Sequence, residues 1–200
     1  MPIHYAISDG LVALIGAWGA WRLVKSGQLM AALGITLFGV AGAIGAVRFT
    51  SGLIDPLADV HRYASQIGGL AGLCLILSQV FRMTGRLVSS VSSIVGATAI
   101  AGTAIIAPAA GAFFFIAGLV GGMLLLWLGV GPEYRNIRGA IGFGVMLPNL
   151  LFVRKSVFLA ADLSWHLYHV VVALWLAIIV HVLLAKPVGK IITMSYLSRT

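Results

Sequence analysis

Apolar residues run through this chain in seven long blocks, at about 7–24, 29–49, 56–81, 88–107, 112–130, 137–153 and 157–186. A helix needs about 20 apolar residues to cross the roughly 30 Å hydrocarbon core of a bilayer. The blocks therefore predict an all-α, polytopic membrane helix bundle of seven crossings, a single transmembrane domain over residues 1–200. Short breaks divide them. Ser51-Gly52 stops the second block, and Asp55-Pro56 reads as an N-cap followed by a proline at the first helical position of the third. Pro108 and Gly111 read as a tight turn, Gly131-Pro132 ends the fifth block, and Pro148-Asn149 predicts a kink or local break in the sixth. The fourth block is the least apolar, diluted by Ser89, Ser90, Ser92, Ser93, Thr98 and Thr103. Lys186-Pro187 closes the seventh.

Composition agrees with a membrane reading. The chain is 60% hydrophobic and only 9% charged, against about 25% charged in soluble domains; its mean hydropathy is +1.07. The net charge of +8 does not make a nucleic-acid surface, because the basic residues stand singly between apolar blocks. They read as topology signals. Seven crossings place nine of them on one side (Arg22, Lys25, Arg82, Arg86, Arg135, Arg138, Lys186, Lys190 and Arg199) and four on the other (Arg48, Arg62, Arg154 and Lys155). Omitting the fourth block leaves seven against six, with no bias. The positive-inside rule thus favours seven crossings, with the amino terminus outside and the carboxyl terminus in the cytoplasm. The protein is expected in a plasma, inner or organelle membrane. Its first block has no basic residues before it and reads as a crossing rather than a cleaved leader. The single Cys74, within an apolar block, allows no internal disulfide and reads as a small apolar filler.

Candidate chemistry is concentrated in the seventh block. Asp162, His166 and His169 stand at i, i+4 and i+7, within about 60° of one another on a helix. An Asp at mid-bilayer costs about 2.5–3.5 kcal/mol on insertion scales, so such a stripe is not expected to face lipid. With the amino terminus outside, these residues fall in the outer half of the membrane. His4, Ser8 and Asp9 at the start of the first block fall there too, as do Arg48 at the end of the second and Asp55, Asp59 and His61 at the start of the third. Only Glu133 and His181 are placed inward among the acidic residues and histidines. Imidazoles and carboxylates are ligands for zinc and other divalent metals. The expected set is His166 and His169 as metal ligands with His61, and Asp162 and Asp59 as catalytic carboxylates. His4, Ser8, Asp9 and Arg48 then stand around them. The plainer readings are an Asp59–Arg62 interfacial pair, an Asp9–Arg48 pair across helices and Asp55 as a cap.

The run DLSWHLYH, with Trp165-His166 early in the last of seven short blocks, resembles the last-span element of the CREST superfamily. That group includes alkaline ceramidases, progestin and adiponectin receptors and haemolysin-III-like proteins. The resemblance implies a zinc site made from the ends of the second, third and seventh spans, hydrolysing lipid amides or related bonds, with Asp59 in the place of an early third-span Asp. The chain departs from the pattern in three places. Arg48, Thr50 and Ser51 stand where the family has a Ser and a His; His61 is an addition; and the last histidines are spaced H-x-x-H rather than H-x-x-x-H. A second similarity, to the membrane substrate-binding subunits of cobalt and nickel uptake systems, rests on His4 near an outward amino terminus.

Three functions follow as expectations. The first is a metal-dependent hydrolase of lipid amide or ester bonds. The second is a transporter or binding subunit for a small solute, protons or metal ions, with Pro148-Asn149 as a broken-helix element. The third is a non-catalytic subunit, in which glycine-rich helices associate with lipids, copies or partners and His61 and His169 could hold a haem. The chain has no GxxxxGK[ST] loop and no GxSxG elbow, which excludes those nucleotide and hydrolase motifs.

Overall fold

The structure, a computed structural model, describes residues 3–84, 88–128, 136–154 and 156–185. Seven helices carry these residues: α1 (Tyr5–Lys25), α2 (Leu29–Thr50), α3 (Ala58–Met83), α4 (Ser90–Ile106), α5 (Pro108–Leu128), α6 (Ile137–Val153) and α7 (Ala161–Leu184). Among the described residues there is no strand. Five helices, α1, α2, α3, α5 and α7, are long and apolar enough to cross a membrane; α4 and α6 are shorter. At about 1.5 Å per residue, the 17 residues of α4 reach about 25 Å.

Glycine decides how closely the first three helices approach. A Cβ on Gly16 of α1 would stand 2.5 Å from the Gly39 Cα of α2. On the other side of α2, a Cβ on Gly34 would stand 2.5 Å from the carbonyl oxygen of Gly72 in α3. Only hydrogen fits at these crossings, so small residues set the spacing. α7 then packs along α1 in parallel. Gly19 receives Val180, Trp18 lies beside the His181 ring at 5.6 Å, and Gln28 donates to the Leu183 carbonyl at 2.7 Å.

The core sits at mid-height. Trp175 is fully buried, with Phe38 and Phe143 edge-on to it at 5.2 and 6.4 Å between ring centres. Ile35, Leu73, Ile76 and Leu176 close this layer. The outside of the bundle is also apolar: Ile7, Leu14, Phe113, Ile141 and Phe152 are exposed.

The predicted breaks need correction in several places. Pro108 opens α5 as its first residue and does not make a turn with Gly111, which lies within the helix against Ala104. A proline at a first helical position lacks only an N–H that would be unpaired anyway. Asp55 does not cap α3: the cap residue is Leu57, and no side chain bonds there. The fourth helix begins at Ser90 with Ser89 as its N-cap, accepting from the Ser92 N–H at 3.0 Å. Ser92 and Ser93 return their hydroxyls to the Ser89 carbonyl, which lets polar residues open an apolar helix. The seventh helix starts at Ala161, later than the expected 157. Pro148 does not break α6. The helix continues through a wider turn over Asn149–Val153, steadied by the Asn149 amide, which donates to the Tyr168 carbonyl at 3.1 Å. The stop expected at Gly131-Pro132, the end expected at Lys186-Pro187, and Arg86, Glu133, Arg135, Lys155, Lys190 and Arg199 lie outside the described residues.

Candidate functional site

The parallel packing of α1 on α7 brings their first turns together. Tyr5, buried on α1, donates its hydroxyl to the Asp162 carboxylate. His4 Nε2 lies 3.9 Å from the same carboxylate, and the His4 and His166 rings are 5.0 Å apart. Ser8 donates to the Tyr5 carbonyl at 3.1 Å, and its oxygen stands 3.0 Å from His166 Nδ1. This upper group is half exposed: the side chains of His4 and Asp162 are 41% and 59% accessible.

One turn deeper the environment changes. Asp9 is fully buried, and His169 Nε2 stands 3.0 Å from its Oδ1. His169 Nδ1 lies 2.8 Å from the Trp165 carbonyl, an acceptor, so that nitrogen carries a proton and donates. Nε2 therefore either holds a second proton, making an ion pair with Asp9, or faces a protonated acid. Both states are neutral as a pair and share one mobile proton. The approach is close, yet neither Asp9 oxygen completes a hydrogen bond among the described residues. Such a group is costly to bury without a partner.

Gly45 of α2 makes room for the pair. A Cβ there would fall 2.5 Å from Asp9 Oδ2 and 2.9 Å from His61 Nε2. His61, buried on α3, therefore stands across Gly45 from the carboxylate. Trp165 fills the gap between the imidazoles, its ring 4.5 Å from His169 and 6.2 Å from His61. Among the described residues its buried indole nitrogen has no hydrogen-bond acceptor.

Asp9, His61, Trp165 and His169 line one end of a cavity of about 630 Å³ to which all seven helices contribute. Ligand pockets commonly measure about 300–1,000 Å³. Three arginines, Arg48, Arg62 and Arg154, also line it, together with the apolar Phe38, Leu70, Phe115, Met146 and Val172 and the polar Ser65, Gln66, Ser156 and Ser164.

The expected residues thus separate into an upper and a lower group. His166 and Asp162 point to the first turn of α1, while His169 points to Asp9, so the two histidines do not converge on one point with His61. Asp59 is held in an exposed ion pair with Arg62 at 2.9 Å and does not line the cavity. Asp9 and Arg48 make no direct ion pair across α1 and α2, although the Arg48 charge acts on the Asp9 carboxylate at longer range; the Arg48 Nε donates to the Ile54 carbonyl at 2.6 Å, and its guanidinium lies over the Phe49 ring. Among the described residues no group of three His, Cys, Asp or Glu side chains is arranged to hold a metal. Asp9 was expected only beside the site, Trp165 only as part of the DLSWHLYH run, Arg154 only as a topology signal and Gly45 not as a site residue. The three-residue spacing of Gly39, Gly42 and Gly45 was the signal for a face of α2 that admits α1. Compared with known proteins, the chain matches no family model, no curated protein and no solved structure.

Proposed function

We propose that this chain is an integral membrane protein of seven crossings, amino terminus outside, that binds a lipid-like substrate in the cavity. It hydrolyses an amide or ester bond there, with the Asp9–His169 pair moving the proton. The reading is carried by one observation: a fully buried carboxylate, without a completed hydrogen bond, 3.0 Å from a histidine nitrogen at the wall of a ligand-sized cavity. In this reaction the Asp9 carboxylate, ion-paired with the doubly protonated His169, takes a proton from water as the water oxygen bonds to the acyl carbon. The proton then passes to the leaving nitrogen or oxygen as the old bond breaks. Positioned acid–base groups of this kind contribute about 10²–10⁴-fold.

The apolar layer beneath the pair, with Trp175, Ile76 and Leu176 fully buried, argues against a continuous path for protons or solutes. Transport is accordingly the weaker reading. A metal-assisted variant would need Asp9, His169 and His61 to close around the ion, since they are not arranged to hold one as they stand; the Trp165 carbonyl, which accepts from His169 Nδ1, would orient that ring. Zinc or another divalent ion bound there would activate the water in place of the proton pair.

The test uses purified full-length protein in lipid nanodiscs with acyl amides and esters. Asp9→Asn and His169→Gln should each lower turnover at least about 100-fold while leaving the melting temperature within a few degrees. Full activity in both variants would overturn the proposal. Elemental analysis separates the two routes: stoichiometric metal, lost in His61→Gln, selects the metal-assisted one.

A further inference from the structure

Arg48 and Arg154 line the cavity from the end of α2 and from just beyond α6, as His169 does from the first half of α7. Arg62 is drawn outward to Asp59, whereas among the described residues neither Arg48 nor Arg154 takes part in an ion pair with a carboxylate. Among the described residues Asp9 is the one carboxylate lining the cavity, and it faces His169. The lining is therefore positive in excess. Guanidinium groups suit carboxylate and phosphate oxygens, which they bind by paired N–H donors. Away from the arginines the lining turns apolar at Val12, Phe38, Leu70, Phe115, Met146 and Val172.

We propose that the cavity selects a single-chain anionic amphiphile, its acidic headgroup held by Arg48 and Arg154 and its hydrocarbon chain lodged among Phe38, Leu70, Phe115 and Met146. This names the substrate class for the hydrolytic reading and rests on it for the fate of the molecule, though not for binding. A cavity of about 630 Å³ holds one chain and a small headgroup, within the roughly 300–1,000 Å³ of ligand sites. The bond between headgroup and chain then lies beside Asp9 and His169. An N-acyl amino acid has this order of parts: acid, amide, chain.

Native mass spectrometry of the full-length protein, released from detergent, tests the proposal by counting bound molecules. The probes are N-dodecanoylglycine, dodecyl phosphate, the neutral N-dodecanoylethanolamine, and N-acetylglycine as a headgroup without a chain. One copy of N-dodecanoylglycine or dodecyl phosphate should bind, and which of the two binds tighter identifies the acid. The neutral amide and N-acetylglycine should bind at least tenfold more weakly. Arg154→Gln and Arg48→Gln should each weaken the anionic probes at least tenfold, and Arg154→Lys should restore part of the loss, which a folding defect would not permit. Equal binding of the neutral amide, equal binding of N-acetylglycine, or affinity unmoved in the glutamine variants would overturn the inference. Because Asp9→Asn should keep the anionic probe bound, binding without turnover in the wild type would sink the hydrolytic reading alone. Turnover of the neutral amide with no preference for the acid would sink the ligand class alone.

Discussion

Asp9 and Gly45 act as one unit. Gly45 has no side chain because the carboxylate of Asp9 and the ring of His61 already occupy that space. Gly45→Ala would push a methyl to 2.5 Å from Asp9 Oδ2 and 2.7 Å from Asp9 Cγ. The expected outcome is loss of ligand binding and turnover, with destabilisation of about 1–3 kcal/mol from overpacking. Thermal unfolding in detergent alongside the activity assay checks both, and an alanine variant with wild-type turnover would separate the pair from its proposed role. In the upper group, Tyr5→Phe removes the hydroxyl that Asp162 accepts. That group is half exposed, so the cost should stay near about 1 kcal/mol, and turnover should change less than threefold if the chemistry belongs to the lower pair. A loss as deep as that of Asp9→Asn would shift the site upward to Asp162 and His166.

Each helix of the bundle is placed by small contacts rather than by its overall apolarity. α1 and α2 touch at Gly16 and Gly39 with no space for a further carbon. Gly39→Leu should therefore separate the two helices, lower the melting temperature and weaken the Asp9–His169 approach at the same time. A variant that melts normally would mean that this crossing is not what sets the spacing. The wide turn at Asn149–Val153 gives a second test. It offers the side chain of a buried Asn149 to the Tyr168 carbonyl, which ties α6 to α7. Asn149→Leu leaves that link unmade, and the expected cost is about 1–3 kcal/mol, read as a lower unfolding temperature. An unchanged temperature would show that the two helices are held by apolar packing alone.

The whole molecule places all its candidate chemistry at the end that holds the amino terminus. α1, α3 and α7 begin there and α2 ends there, so Asp9, Arg48, His61 and His169 meet although they are far apart in sequence. Orientation in the membrane decides which compartment supplies the ligand. Single cysteines at Ile3 or Asp55, in a Cys74→Ala background, should react with a membrane-impermeant maleimide in intact cells. One at Ser26, in the turn between α1 and α2, should react only after permeabilisation. The reverse pattern would turn the cavity to the cytoplasm and overturn the proposed topology while leaving the site geometry intact.

The order of apolar blocks and the all-helical class were readable from the chain itself, because hydropathy and helical spacing are local sums over neighbouring residues. Proline was less readable, since Pro108 can open a helix as easily as end one, and the same two residues at Pro148-Asn149 permit a break or a widened turn. The site was decided by tertiary structure. Whether Asp9 meets Arg48 or His169 depends on how far α1 is rotated about its axis, and that rotation is set by Gly16 of α1 against Gly39, Gly42 and Gly45 on the facing helix. A nearly uniform apolar helix has no polar face to announce its orientation. Only packing against its neighbours turns Asp9 inward and Asp59 outward, and so separates a buried carboxylate from an ordinary surface one.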